Sequence, residues 1–218
     1  MNALAAAAMQ DYKDFNWESP GASNGHSGEA LADSLLAAVK KLGRVHNICD
    51  LGCGNGYLAG RLAGLGYRVT GVDASASGIE IARAQHPGVE FLCARISGGL
   101  ASELASPEFH LVVSSDVIEH LYRPSDLLEA AAGLLGPRGH LLICTPYHGY
   151  LKNLALSISG RMDAHFTALW DGGHIKFFSV RTLSELIAGH GFTELSFSYY
   201  GRAPYLGKNM ICHARRSE

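Results

Sequence analysis

The sequence has no uninterrupted apolar run long enough to cross a bilayer. Charge is sparse as well: 17% of the residues are charged, and 18 basic against 20 acidic side chains leave a formal net charge of -2. With no basic excess to meet a phosphate backbone, nucleic acid is not expected as a partner. The five cysteines are an odd number without a CxxC pair, which argues against a disulfide scaffold and fits a reducing, cytoplasmic compartment. The apolar opening Ala3–Met9 has no basic flank ahead of it, so a secretory leader is not expected. There is no internal repeat and no low-complexity tract. The residues that are plentiful are apolar: 47% of the 218, enough for a sizeable core, and the length suits one domain over 1–218.

Residues 1–28 combine Tyr12, Phe15 and Trp17 with the turn formers Ser19-Pro20-Gly21 and Asn24-Gly25-His26-Ser27-Gly28, a pattern that predicts an arm and a loop. From Glu29 to Leu42 apolar residues recur at helical spacing, and Gly43 stops the run. Alternation follows. Short apolar strands fit Asn47–Leu51, Arg68–Asp73, Val89–Cys93, Phe109–Ser115 and Gly139–Thr145, with helices at Tyr57–Leu65, Ser75–Gln85 and Ser125–Leu135. Such alternation predicts βαβ units and a buried parallel sheet. After a helix at Val180–Ala188, the runs Phe192–Tyr200 and Asn209–Ala214 read as a hairpin. Residues 146–178 are too long and too punctuated by Pro146, Gly149, Gly160, Gly172 and Gly173 for a plain crossover, and are expected to be an inserted lid.

The stretch Asp50-Leu51-Gly52-Cys53-Gly54-Asn55-Gly56-Tyr57 carries the most information. A strand that ends in closely spaced glycines before a helix lets the backbone approach a nucleotide. A dinucleotide fingerprint would need Gly or Ala where Tyr57 stands, so a dehydrogenase is disfavoured. Asp73 ends the second strand about 20 residues beyond the loop, where a carboxylate can accept from both hydroxyls of a ribose. Its bland alternative is a helix N-cap, but Ser75 is already placed for capping.

These motifs, together with Ser115-Asp116-Val117-Ile118-Glu119-His120, resemble class I S-adenosylmethionine-dependent methyltransferases, closest to the ubiquinone-biosynthesis O-methyltransferase branch. The resemblance implies a Rossmann-like, doubly wound seven-stranded sheet, mostly parallel, with an antiparallel C-terminal hairpin. It implies S-adenosylmethionine as cofactor and a small-molecule acceptor, methylated at oxygen before nitrogen or carbon. Asp50, Gly52, Cys53 and Gly54, with Asn55 and Gly56 completing the loop, would meet the methionine half. Asp73 would hold the ribose, with Ala74 and Ser75 beside the adenine, and Ser115 and Asp116 would close the site from the fourth strand. Ala94 and Arg95 stand where the branch places an acceptor for the adenine amine. Arg95 has no acceptor of its own, so a backbone carbonyl takes that role or the adenine sits differently.

Methyl transfer to a hydroxyl is helped by a general base near neutral pH, and histidine suits that task. His120 follows the fourth strand, His148 the fifth, and His174 closes the insertion; all three are candidates, each with a structural alternative. The branch's acid-x-x-Glu-His arrangement can bind a divalent cation, and Asp116, Glu119 and His120 match its spacing. In many relatives these residues cap a helix or shape the pocket floor, and no metal is expected here. A protein that keeps the fold but only binds the cofactor is the competing reading. In the insertion, Leu151, Leu154, Ala155 and Ile158 make one apolar stripe if Lys152–Ser159 is helical. That stripe could pack on the domain, wall the acceptor pocket, or touch a membrane. The pocket wall is favoured, since His148 and His174 bracket the segment and few basic residues accompany it.

Overall fold

The computed structural model describes Trp17 and residues 26–104, 108–166, 168–170, 172–201 and 207–217. Its sheet has seven strands: β1 Asn47–Leu51, β2 Arg68–Asp73, β3 Glu90–Cys93, β4 Phe109–Ser115, β5 Leu135–Pro146, β6 Phe192–Tyr200 and β7 Asn209–Arg216. Their order is β3-β2-β1-β4-β5-β7-β6. The pairs from β3 through β5 are parallel, and β5–β7 and β6–β7 are antiparallel. The expected doubly wound sheet with its C-terminal hairpin is therefore the fold.

Helices α1 (His26–Lys40), α2 (Tyr57–Gly64) and α3 (Ala76–Gln85) cover one face, while α4 (Leu100–Glu103), α5 (Ser125–Leu134) and α8 (Val180–Ala188) cover the other. Side chains that alternate along each strand feed the two cores. Ile48, Leu111, Val113, Leu142 and Ile211 pack with Leu35, Val39, Leu62 and Ile79. Their neighbours Cys49, Val112, Leu141, Ile143 and Cys212 pack with Leu128, Ala131, Leu183 and Ile187. Period-two alternation with both faces apolar is what a sheet sandwiched between helices requires.

Several boundaries differ from expectation. Helix α1 starts at His26, three residues before Glu29, so the last residues of the expected arm are helical. Strand β5 begins at Leu135, not Gly139: Leu135 pairs with Phe109, and the Gly-Pro-Arg-Gly sequence is carried by a bulge with Arg138 at φ 57. Cross-strand pairing overrides local turn chemistry there. The hairpin strand β7 runs on to Arg216, two residues past Ala214.

The insertion holds α6 (Tyr150–Ile158) and α7 (Met162–Phe166), with no buried residue in either. Leu151, Leu154 and Ile158 are 60%, 56% and 79% exposed, so the stripe does not pack on the domain. Leu156, off the stripe, is the half-buried one. No helix among the described residues is long and apolar enough to cross a membrane.

Candidate active site

The glycine loop is built by left-handed backbone at Gly52, Gly54 and Gly56, with φ of 80, 53 and 79. The amides of Gly52 and Cys53 donate to the Val72 carbonyl at 2.7 and 3.0 Å, which fastens the loop to β2. Asp73 completes the fastening: its Oδ2 accepts from Gly54 N and its Oδ1 from Ser75 N, both at 2.8 Å. One carboxylate thus ties the loop after β1 to the start of α3. Ser75 caps α3 by accepting from Gly78 N at 3.2 Å, and Asn55 Oδ1 accepts from Tyr57 N at 3.3 Å at the start of α2. Ala74 and Ala94 are half-buried beside this tip, with Ala94 N donating to Asp73 O at 2.9 Å; Arg95 is exposed.

Asp50 lies under the loop, 2% exposed. Burial first, then the nearby Asp73 charge, raises its pKa to about 7, opposed by the Ala59 amide. Its Oδ2 has no hydrogen-bond partner, a cost of the order of 1–3 kcal/mol unless a donor reaches it. A cationic amino group delivered to the loop would satisfy it. Cys53 is buried, and burial pushes its thiol up, so it serves as a small apolar side chain.

Across the loop, Val117 fills the space at Gly52, where a Cβ would meet Val117 Cγ2. Asp116, at φ 55, is exposed and its carboxylate accepts from Asn209 Nδ2 at 2.8 Å and from Ser115 Oγ at 3.5 Å. Protein packed around it raises its pKa, partly offset by Asn209, Lys208 and Ser115. Asn209 comes from β7, and nothing in its local sequence announces this role.

The turn after β4 gathers the remaining chemistry. Glu119 is 1% exposed; Thr145 Oγ1 donates to its Oε2 at 2.9 Å, while Oε1 has no partner. Burial first, then Asp116, drives its pKa up, so its charged form is disfavoured unless a cation meets it. His174 Nε2 stands 4.0 Å from Glu119 Oε1, and its ring packs edge-on to His120 at 4.9 Å between centroids. Burial, then His120 and His165, lowers the His174 pKa to about 4. Burial raises the pKa of the carboxyl and lowers that of the imidazole, so both shifts disfavour an ion pair here. His120 Nδ1–H donates to the Gly172 carbonyl at 3.0 Å, which leaves Nε2 as the lone-pair nitrogen of the neutral ring. The amides of Ile175 and Lys176 both donate to Glu119 O, at 2.9 and 3.0 Å, so this end of the insertion is pinned to the turn.

Ligand atoms of Glu119, His120 and His174 lie within 4.8 Å of one another. One carboxylate and two imidazoles suit a divalent cation of zinc type. The member expected from spacing, Asp116, is not in this group; His174, 55 residues beyond Glu119, takes its place. Only tertiary structure reveals that substitution. His148 is outside this trio but close enough to His174 for their charges to act on each other; it is stacked on Phe166 at 5.7 Å and edge-on to Phe177 at 5.0 Å. Burial, then Lys152 and His165, lowers its pKa to about 4. The three histidines therefore divide into a pair and an aromatic wall. Tyr12, Phe15 and the side chains of His26 and Ser27 lie outside the described residues.

The family profile of the methyltransferase domain matches residues 24–196. The chain belongs to that family. A ubiquinone biosynthesis O-methyltransferase of Cereibacter sphaeroides is 33% identical over 187 residues, 78% of this chain and 74% of the relative. One from Caulobacter sp. is 35% identical over 126 residues, 56% of this chain and 48% of the relative. This methyltransferase domain spans about half the length of the first curated relatives it matches. In fold it is similar to the N-methyltransferase NodS of Bradyrhizobium japonicum solved with S-adenosyl-L-homocysteine, at TM-score 0.65 and 16% identity, covering 90% of both chains. It is also similar to magnesium protoporphyrin IX methyltransferase of Synechocystis, solved with the same ligand, at TM-score 0.63 and 19% identity over 88% of each chain.

Proposed function

We propose that this domain transfers the methyl group of S-adenosylmethionine to an oxygen of a small-molecule acceptor. The observation that carries the proposal is a pair of buried carboxyl oxygens without hydrogen-bond partners, Asp50 Oδ2 under the glycine loop and Glu119 Oε1 beside His120 and His174. When bound, S-adenosylmethionine supplies a methyl group on a sulfonium, and transfer to a hydroxyl leaves a thioether and one proton to be removed.

Asp50 accepts from the cofactor's amino group, and the left-handed backbone at Gly52 and Gly54 shapes the loop that receives it. Asp73 keeps lone pairs for the ribose hydroxyls while both its oxygens hold the loop in register, so the site is organised before the ligand arrives. His174 or His120, neutral at pH 7, takes the acceptor's proton on a ring nitrogen. Glu119, His120 and His174 would also hold a divalent cation, which would lower the pKa of an acceptor hydroxyl there. The insertion 146–178 acts as a lid whose outward apolar stripe turns onto the acceptor.

Incubation with methyl-labelled S-adenosylmethionine and a panel of phenols, sugars and amines, read by mass spectrometry, tests the proposal. A labelled methyl ether is expected; label on amine nitrogen, or none on any acceptor despite bound cofactor, overturns the oxygen assignment. S-adenosylhomocysteine should raise Tm, whereas NAD should not. In limited proteolysis, cleavage near Gly160 should slow when S-adenosylhomocysteine and an acceptor are both present; ligand-insensitive cleavage removes the lid.

A further inference from the structure

Trp17 lies far from the loop in sequence and rests directly on it in space. A Cβ on Gly54 would meet the indole Cζ2 at 2.4 Å, and a Cβ on Gly78 would meet Cδ1 at 2.9 Å and Nε1 at 3.0 Å. The Trp17 amide donates to Ser77 Oγ at 3.0 Å, and Ser77 Oγ lies 3.1 Å from Ser75 Oγ, the cap of α3. Two glycines and a Ser-x-Ser are therefore spent on seating one half-buried indole.

Gly78 makes the point most sharply. It is the third residue of α3, where glycine costs about 1 kcal/mol relative to alanine. Its φ is not in the left-handed region, so conformation does not demand glycine. What demands it is approach: a Cβ there would also stand 3.0 Å from the Gly54 carbonyl. The indole lies across the peptide whose amide donates to Asp73, beside the carboxylate that ends β2.

We propose that Trp17 is a cofactor-binding residue, the outer wall of the cleft on its nucleoside side. This rests on the glycine loop holding S-adenosylmethionine. A flat apolar surface over that corner removes water from the hydrogen bonds between Asp73 and a ribose, and such bonds strengthen in a drier environment. It also adds contact area to the nucleoside itself.

The test uses S-adenosylhomocysteine and calorimetry. Trp17→Ala should raise its Kd about tenfold or more, and Trp17→Phe should recover most of the loss. The sequence has two tryptophans, so Trp170→Phe leaves Trp17 as sole reporter, and its emission should change on titration with S-adenosylhomocysteine. An unchanged Kd in Trp17→Ala, with only a lower Tm of the free protein, makes the residue a structural anchor and overturns the proposal. Tighter binding overturns it too, since the indole would then block the cleft. Should Trp17→Ala fail to fold, an emission that ignores saturating ligand decides against it. Absence of binding by the unsubstituted protein would instead strike the cofactor assignment.

Discussion

The two ends of the candidate site are built on opposite terms. Around the glycine loop, backbone amides and carboxylates meet at 2.7–3.0 Å, and the glycines are packed against Val117, Trp17, Ala82 and Phe91. Around the insertion, α6 and α7 hold no fully buried residue, and Leu151, Leu154, Ile158 and Leu169 face solvent. A site that binds one fixed cofactor can be rigid before the ligand arrives, because the ligand never changes. The proposed acceptor surface carries apolar area that the free chain does not bury, at a cost in stability that contact with a ligand would recover.

The sharpest break in that comparison comes from the histidine pair. His174→Ala should lower turnover on an identified acceptor about 10²–10⁴-fold and leave S-adenosylhomocysteine affinity near normal in calorimetry. His148→Ala, which removes an aromatic packing partner, should lower Tm before it lowers turnover; the reverse pattern would exchange the two roles. Next comes the rigid end. Gly56→Val forces a branched side chain to φ 79 and against Ala82 Cβ at 2.8 Å and Phe91 Cζ at 2.9 Å. Strain and overpacking together should destabilise by about 3 kcal/mol in a denaturant titration.

Asp73→Ala removes the acceptor for Gly54 N and Ser75 N as well as the proposed ribose partner, so cofactor binding should weaken by about 1.5–3 kcal/mol. If the loop is held well enough by the Val72 carbonyl, stability will fall less than affinity, and calorimetry beside thermal melting separates the two.

A smaller effect belongs to the far end of the sheet, where His140 Nδ1 and His213 Nε2 are 2.9 Å apart across β5 and β7. One ring must donate and the other accept, so both cannot be charged. Burial lowers the pKa of each, to about 4 for His140, where His213 and Arg215 add to the effect. The unfolded chain therefore binds more protons between about pH 6.5 and pH 4, and stability is full above that window and falls as pH drops through it. With both rings partly solvated, about 1 kcal/mol is expected, measurable as a shift in the urea midpoint that His140→Phe flattens. Smallest of all, Leu154→Ser on the exposed stripe should change stability by less than about 0.5 kcal/mol. A larger loss would mean that α6 is packed after all, and the contrast between the two ends would fail.

Much of this was legible in sequence. The strand cores and the Gly-x-Gly-x-Gly turn are local patterns, whereas the bracing of that turn by Asp73 joins residues 19 apart and was not read from them. Helix periodicity also placed the stripe of α6, but periodicity says which residues share a face, not what that face meets; here it meets solvent. The acid-x-x-Glu-His spacing pointed to Asp116 beside Glu119, whereas backbone at φ 55 turns Asp116 toward Asn209 instead.

Sequence by itself determined the fold, the loop and the family, because hydrophobic alternation and glycine conformation act over a few residues and are written out in order. Tertiary structure alone decided that His174 joins Glu119 and His120, that Asn209 holds Asp116, and that Trp17 lies on Gly54 and Gly78. Those pairings span tens of residues and are made by where the sheet brings strand ends together, a consequence of burying two apolar faces at once that no local pattern records.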